Sequence, residues 1–390
     1  MAVVDIVLLV ILVVALITGI ARGLVASIGV LAGLVAGGIA AVWAAPAVAR
    51  LVAVPIWGTV VEVATWAALL AIGASLGGMI GAWVRRGVDR TPLRLIDRLL
   101  GGVVGVLVTA LVASLAATGI IATGIPVVSS AVASSRVIGT IDALIPAPVQ
   151  QALARVRGTL AADGLPAVGA LLGPGTAAPA APVPLDDPEI AAASASVARI
   201  TGVAYACGVS QTGSGFAVSP TAVVTNAHVV AGVDEPVVQL PGHAAHQGRI
   251  VYFDPGQDLA VIAVPGLNAT PLQLSRPLAA GAGAVVAGYP YGGPFTLGDA
   301  QVLSAGTAPV ADIYDESSEP RPVYSLKAQV RPGNSGGPLL TASGTVAGVV
   351  FARSEDDGDL GYAIADQALA PVVARLGSFT STVSSGHCIR

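Results

Sequence analysis

Three short stretches carry residues that could do chemistry together. "TNAHVV" places His228 just after a β-branched run, and "DPGQDLAVIAV" places Asp258 thirty residues further on, at the head of an apolar run. "PGNSGGPLL" sets Ser335 between Asn334 and a pair of glycines. A serine hydroxyl is a weak nucleophile at its free pKa. It needs a base within hydrogen-bond reach, and that base needs a carboxylate to fix its tautomer and stabilise its cation. The three residue types satisfy that need, in the order His, Asp, Ser. The glycines have their own part. A turn at Gly333 would aim its N–H and that of Ser335 at one point, where the pair could stabilise an oxyanion.

Other residues compete for these roles. Asp254 lies four positions before Asp258 and is the rival carboxylate. His243 and His246 in "PGHAAHQG" have the look of a metal pair, but no cysteine or acidic residue stands at ligand spacing, and a solvated turn is the simpler reading. No metal and no cofactor is expected. Taken alone, a GNSGG stretch is more often a glycine-rich turn than a nucleophile; the two partners make the case.

These residues must be held by β structure. From about residue 190 short β-branched runs alternate with Gly, Pro and Asn, among them "VARITGVAYAC", "SGFAVSP", "RIVYFDP", "AGAVVAGYP", "VYSLKAQV", "GTVAGVVFAR" and "LGYAIA". Strands of four to eight residues at such spacing predict an all-β sandwich or barrel over 190–390. One amphipathic stretch, 364–377, predicts a closing helix.

The first third of the chain has a different texture. The chain of 390 residues is 54% hydrophobic and only 11% charged, against about 25% charged for soluble domains. Its apolar residues concentrate in four runs near 3–21, 24–45, 63–84 and 101–123. Each is long enough to cross a bilayer, which takes about 20 residues, so 1–125 is expected to be a four-span helical membrane module. The leader before the first run, MAVVD, lacks the basic residues of a secretory signal. Arg22 follows the first run, and Arg85, Arg86, Arg90, Arg94 and Arg98 cluster between the third and fourth, against Arg50 alone between the second and third. Positively charged loops stay cytoplasmic. The N-terminus and everything after residue 125 are therefore expected on the extracytoplasmic side of the plasma membrane. Glycines four apart (Gly29, Gly33, Gly37; Gly73, Gly77, Gly81; Gly101, Gly105) suit close helix packing, within the module, in its self-association or in binding other membrane proteins. Asp5, Glu62 and Asp97 fall at the run edges and not mid-span, which disfavours an ion pathway. Residues 126–160 are expected to form short membrane-proximal helices, and the Pro/Ala/Gly-rich stretch 161–189 a semi-extended linker.

With the β domain outside, the two cysteines, Cys207 and Cys388, would sit in an oxidising compartment and form a disulfide. On the chain-entropy model so long a loop would stabilise by roughly 4 to 5 kcal/mol before strain. The net charge of −4 and the lack of an arginine or lysine cluster with interleaved aromatics exclude a nucleic-acid binder.

"TNAHVV", "DLAVI", "GNSGGPL" and "GYAIA" together resemble the trypsin-like serine proteases, in particular the bacterial HtrA branch, over about 195–377. The resemblance implies two six-stranded β-barrels with the site in the cleft between them. It gives Ser335 as nucleophile, His228 as general base and acid, Asp258 as orienting carboxylate, and the N–H groups of Gly333 and Ser335 as the oxyanion hole. Unlike typical HtrA proteins, the sequence given shows no PDZ domain after the protease region. The residue six before the nucleophile, Gln329, would lie at the base of the S1 pocket, with a wall from Val349, Val350 and Phe351. With no carboxylate there, the expected P1 residue is uncharged, apolar or small. The four runs with "DRLLGGVVGVL" resemble the CvpA membrane module. The whole layout is similar to the actinobacterial membrane-anchored acid-resistance serine proteases of the MarP type. That resemblance implies an endopeptidase acting on cell-envelope proteins under acid or oxidative stress. Two other readings stay open: a membrane scaffold or transport protein with an inactive protease-like sensor, and a pore regulated by the protease domain.

Overall fold

The computed structural model describes residues 3–49, 55–88, 91–122, 135–146, 149, 165–172, 182–204 and 209–389. The chain divides into two compact units, 1–114 and 115–390.

The first unit is built of four long helices: α1 (Val3–Arg22), α2 (Leu24–Ala49), α3 (Pro55–Val88) and the start of α4 (Arg94–Ala122). All four are long and apolar enough to cross a membrane. They outrun the apolar runs because arginine-bearing ends continue the helices; α3 takes in Arg85 and Arg86. The spaced glycines act as expected for close packing. A Cβ on Gly33 would stand 2.0 Å from the Gly73 carbonyl oxygen, and one on Gly77 2.1 Å from that of Gly29, so α2 and α3 touch backbone to backbone. Gly19 and Gly101 do the same for α1 and α4. At one end of the bundle Asp97, in the first turn of α4, accepts from the Val25 N–H at 3.0 Å and pairs with Arg85 Nε at 3.4 Å. Arg85 Nη1 in turn donates to the Ala21 carbonyl at 2.7 Å and to that of Arg22. This ties the α1–α2 turn to α3 and α4.

In the second unit α5 (Arg136–Leu144) opens on Ser135, whose hydroxyl accepts from the Ile138 N–H; most of the rest of 126–160 lies outside the described residues. The linker expected over 161–189 gives way at both described ends. Strand β1 (Ala167–Val168) pairs in parallel with Arg353 and Ser354, and Leu165 is buried. Val183 is buried too, and Asp187 caps α6 (Pro188–Ser194), which buries Ile190 completely. Leu165, Val183 and Ile190 supply apolar anchors that an otherwise aperiodic Pro/Ala/Gly composition conceals.

The β structure forms two seven-stranded sheets. The first has the order β6-β5-β2-β3-β4-β8-β7, made of β2 (Val197–Ala204), β3 (Val209–Ser219), β4 (Ala222–Thr225), β5 (Val237–Gln239), β6 (His246–Gln247), β7 (Arg249–Asp254) and β8 (Leu259–Ala263). The second contains β9 (Gly283–Gly288), β10 (Thr296–Ala311), β11 (Ser318–Lys327), β12 (Pro338–Leu340), β13 (Val346–Ser354) and β14 (Leu360–Ala365). Its pairings run β13-β12-β9-β10-β11-β14 and return to β13, which closes a six-stranded barrel with β1 added at its edge. Helix α7 (Ala227–Val230) follows β4, and α8 (Asp366–Ala374) follows β14. Ile364 and Ala365, expected to open the closing helix, belong to β14. Each sheet encloses an apolar core of its own, and a third, shared core between them includes Phe216, Val261, Val285, Phe351 and Ile364.

Candidate active site

Asp258 stands at the end of the β7–β8 turn, Asp254 to Asp258, with φ of +53°. Aspartate tolerates this left-handed conformation better than most side chains. Asp254 closes the turn: its carboxylate accepts from the Gln257 N–H at 2.9 Å and from the Tyr252 hydroxyl at 2.9 Å. The rival carboxylate is thus occupied in building the turn. Asp258 faces the histidine. His228 Nδ1 lies 2.8 Å from Asp258 Oδ2 and 3.0 Å from Oδ1, and the His228 backbone N–H donates to Oδ1 at 2.9 Å. Asn226 adds a further tie, its amide donating to the Asp258 carbonyl at 2.8 Å. Both members of the pair are buried, His228 at 5% and Asp258 at 2% exposure.

Ser335 is 2% exposed. Its loop lies against β3 and β4, the strands that lead to His228. Ser214 on β3 grips it twice: its N–H donates to the Ser335 carbonyl at 2.8 Å and its hydroxyl donates to the Gly333 carbonyl at 2.7 Å, while that hydroxyl is itself oriented by the Tyr289 N–H, from which it accepts. A Cβ on Gly336 would meet Ser214 O and Thr225 Oγ1, each at 2.2 Å, so only glycine lets the loop come this close. From behind, β13 holds it through Gly336 N to Val350 O and Val350 N to Gly337 O. Among the buried polar atoms without a hydrogen-bond partner in the described residues are His228 Nε2 and Ser335 Oγ. These are the atoms that a proton transfer from serine to histidine would use.

The oxyanion-hole geometry follows from one hydrogen bond. The Pro332 carbonyl accepts from the Tyr291 N–H at 2.5 Å. A trans peptide directs its N–H opposite to its carbonyl, so the Gly333 N–H is turned away from Tyr291. Gly333 has φ of +92°, and a Cβ there would stand 2.4 Å from Tyr289 O. Neither the Gly333 nor the Ser335 N–H has a partner among the described residues.

Gln329 is exposed. Its Nε2 donates to Asp359 and its Oε1 accepts from Arg331, both at 2.9 Å. With Arg331, Asn334, Pro290 and Tyr291 it lines a cleft of about 290 Å³ that has no carboxylate in its lining. Val349, Val350 and Phe351 are not part of that lining; Val349 and Phe351 are buried in the core shared by the two sheets and Val350 in the core of the second sheet alone, and it is the Val350 backbone that reaches the nucleophile loop. Cys388 is disulfide-bonded, while Cys207 lies outside the described residues. His243 is exposed in its turn, and no metal-holding group of His, Cys, Asp and Glu occurs among the described residues. Ser214, Asn226 and Tyr291 carry much of the geometry, yet nothing in their immediate sequence marks them; Asn226 alone sits inside the histidine motif.

Residues 213–349 match the family model of the trypsin-like peptidase domain, and residues 4–146 match that of the colicin V production protein. A curated relative, serine protease Rv3671c of Mycobacterium tuberculosis, is 37% identical over 272 residues, covering 68% of this chain and 67% of its own. The chain belongs to this family of serine proteases, the MarP type. A crystal structure of the Rv3671c protease, described as the active form, aligns with a TM-score of 0.54 at 36% identity, covering 58% of this chain and all of that one. A DegP-like periplasmic serine endoprotease of Pseudomonas putida is 34% identical over 158 residues, 39% of this chain and 32% of its own. As a MarP-type serine protease the chain is a membrane protein whose substrates are proteins.

Proposed function

We propose that Ser335, His228 and Asp258 form the triad of a membrane-anchored endopeptidase that cleaves cell-envelope proteins. The observation that carries this reading is the 2.8 Å contact from His228 Nδ1 to Asp258, with His228 Nε2 and the Ser335 hydroxyl both left without a partner among the described residues. His228 takes the hydroxyl proton through Nε2 as Ser335 attacks the scissile carbonyl. Asp258 holds the ring with its Nδ1–H fixed and stabilises the imidazolium that forms. The N–H groups of Gly333 and Ser335 receive the oxyanion. His228 then protonates the leaving amine, and water repeats the sequence on the acyl-enzyme.

The four helices anchor the protease, and the arginine distribution supports an N-terminus and a protease domain on the extracytoplasmic face of the plasma membrane. In that compartment Cys207 and Cys388 pair and tie the C-terminal tail to β2 and β3. The family relationship supports a role in withstanding acid and oxidative stress. The cleft beside Gln329 lacks a carboxylate, which supports an uncharged P1 residue.

The test is cleavage of a peptide library by the full chain in detergent, with Ser335→Ala as control and products sequenced by mass. Cleavage after small or apolar residues, absent from the variant, is expected. Cleavage mainly after Arg or Lys overturns the specificity, and cleavage equal in the variant overturns the triad.

A further inference from the structure

Arg321 is a buried charge that the reaction scheme above does not use. It lies on β11 of the second barrel and is 1% exposed. Its Nη2 donates to the Gly256 carbonyl and, at 3.4 Å, to that of Ala311. The guanidinium carbon stands 5.5 Å from the centre of the Phe351 ring. Among the described residues no carboxylate is in ion-pair contact with it. A buried cation without a paired anion costs several kcal/mol, so the fold must recover that cost elsewhere.

Asp258 poses the complementary problem. It is 2% exposed, and its carboxylate oxygens accept from the His228 N–H and ring. While His228 is neutral, Asp258 is a buried anion held only by neutral donors. One turn links the two buried groups. Gly256, which Arg321 grips, is two residues before Asp258 in the same turn. Of the anions that act on Arg321, Asp258 has the largest effect, ahead of Asp254, Glu319 and Asp312. Glu319 is exposed and Asp312 half-buried, so solvent screens them. Asp254 is already engaged by Tyr252 and Gln257.

We propose that Arg321 is a positioning residue of the reaction: it clamps, from β11, the turn that carries Asp258 and sets a buried counter-charge beside it. The inference rests on the triad reading. The clamp fixes the Asp258 carboxylate on the His228 ring. The titratable and charged groups around the pair are His228, Asp258, Asp254, Tyr252, Glu319 and Asp312, with Arg375 a second cation beyond Tyr252.

The experiment compares the full chain with Arg321→Met and Arg321→Lys, reading kcat and KM separately on a cleaved peptide and labelling of Ser335 by a fluorophosphonate. Arg321→Met should lower kcat at least about 10-fold with KM nearly unchanged. Arg321→Lys should restore most of kcat, since it keeps the charge. An unchanged kcat in Arg321→Met, with only a lower Tm, makes Arg321 a packing residue and overturns the proposal. If Arg321→Met does not fold, the double variant Arg321→Met, Asp258→Asn decides. Recovery of folding on removing both charges supports mutual compensation, and failure to recover overturns it. Failure of the underlying triad reading is distinguishable, because Ser335 of the wild type would then take no label.

Discussion

At the scale of single residues, the proposed triad could be picked out of the sequence and its supports could not. His228, Asp258 and Ser335 stand out because nucleophilic catalysis demands those types, and Asp258 is preferred to Asp254 from its place before the apolar strand. Gly333 carries the sharpest prediction. Its φ is +92°, and Tyr289 O lies only 2.4 Å from the point a Cβ would occupy, so Gly333→Ala must shift the loop. It should lower kcat by about 10² to 10³, as loss of one oxyanion donor does, with a smaller change in KM. Asp258→Asn should lower kcat by about 10⁴, because the ring loses the acceptor that fixes its tautomer, and should also lower Tm by leaving Arg321 without its counter-charge; steady-state kinetics and thermal melts of the variants check both. Ser214 and Tyr291 could not be foreseen. Each acts through long-range backbone contacts, and a serine in a strand or a tyrosine in a turn has no local signature.

At the scale of elements, period and composition served well where strands were short and β-branched. They failed for β10, whose sequence, TLGDAQVLSAGTAPVA, mixes Gly, Asp and Pro with alanine. That strand exists because it pairs with β9 on one side and β11 on the other, a tertiary gain that overrides weak propensity. The same holds for residues 165–172 and 182–189, which composition assigns to a linker and packing assigns to the protease. Ile190 is wholly buried, so Ile190→Ala should destabilise the protease unit by about 2 to 4 kcal/mol, measured by denaturant titration. Were 182–189 a free linker leading into an exposed helix, the substitution would cost almost nothing. In the first unit, Gly33→Leu should separate α2 from α3, because backbone atoms of Gly73 occupy the space the side chain needs; loss of thermal stability in detergent checks this.

At the scale of the whole molecule, the division into a membrane module and a β protease was visible from hydropathy and strand spacing alone. What could not be read is how burial sets the chemistry of groups far apart in sequence. Burial, with the Asp254 carboxylate in the first case, pushes Tyr252 and Tyr289 up to about 12, and burial does the same for Tyr324. A phenol whose folded pKa lies above its unfolded value near 10 stabilises the fold fully below about pH 10. That contribution fades as pH rises toward about 12. Stability should therefore fall across that interval, with tyrosinate absorbance appearing as the fold is lost; a flat stability from pH 10 to 12 would contradict the burial of these rings.

The most direct measurement is fluorophosphonate labelling of the full chain in membranes, with Ser335→Ala and His228→Ala alongside and the labelled peptide identified by mass. The account predicts a label on Ser335 in the wild type, none on the alanine variant, and a much slower reaction without His228. A well-folded wild type that takes no label, or takes it at another serine, would contradict it.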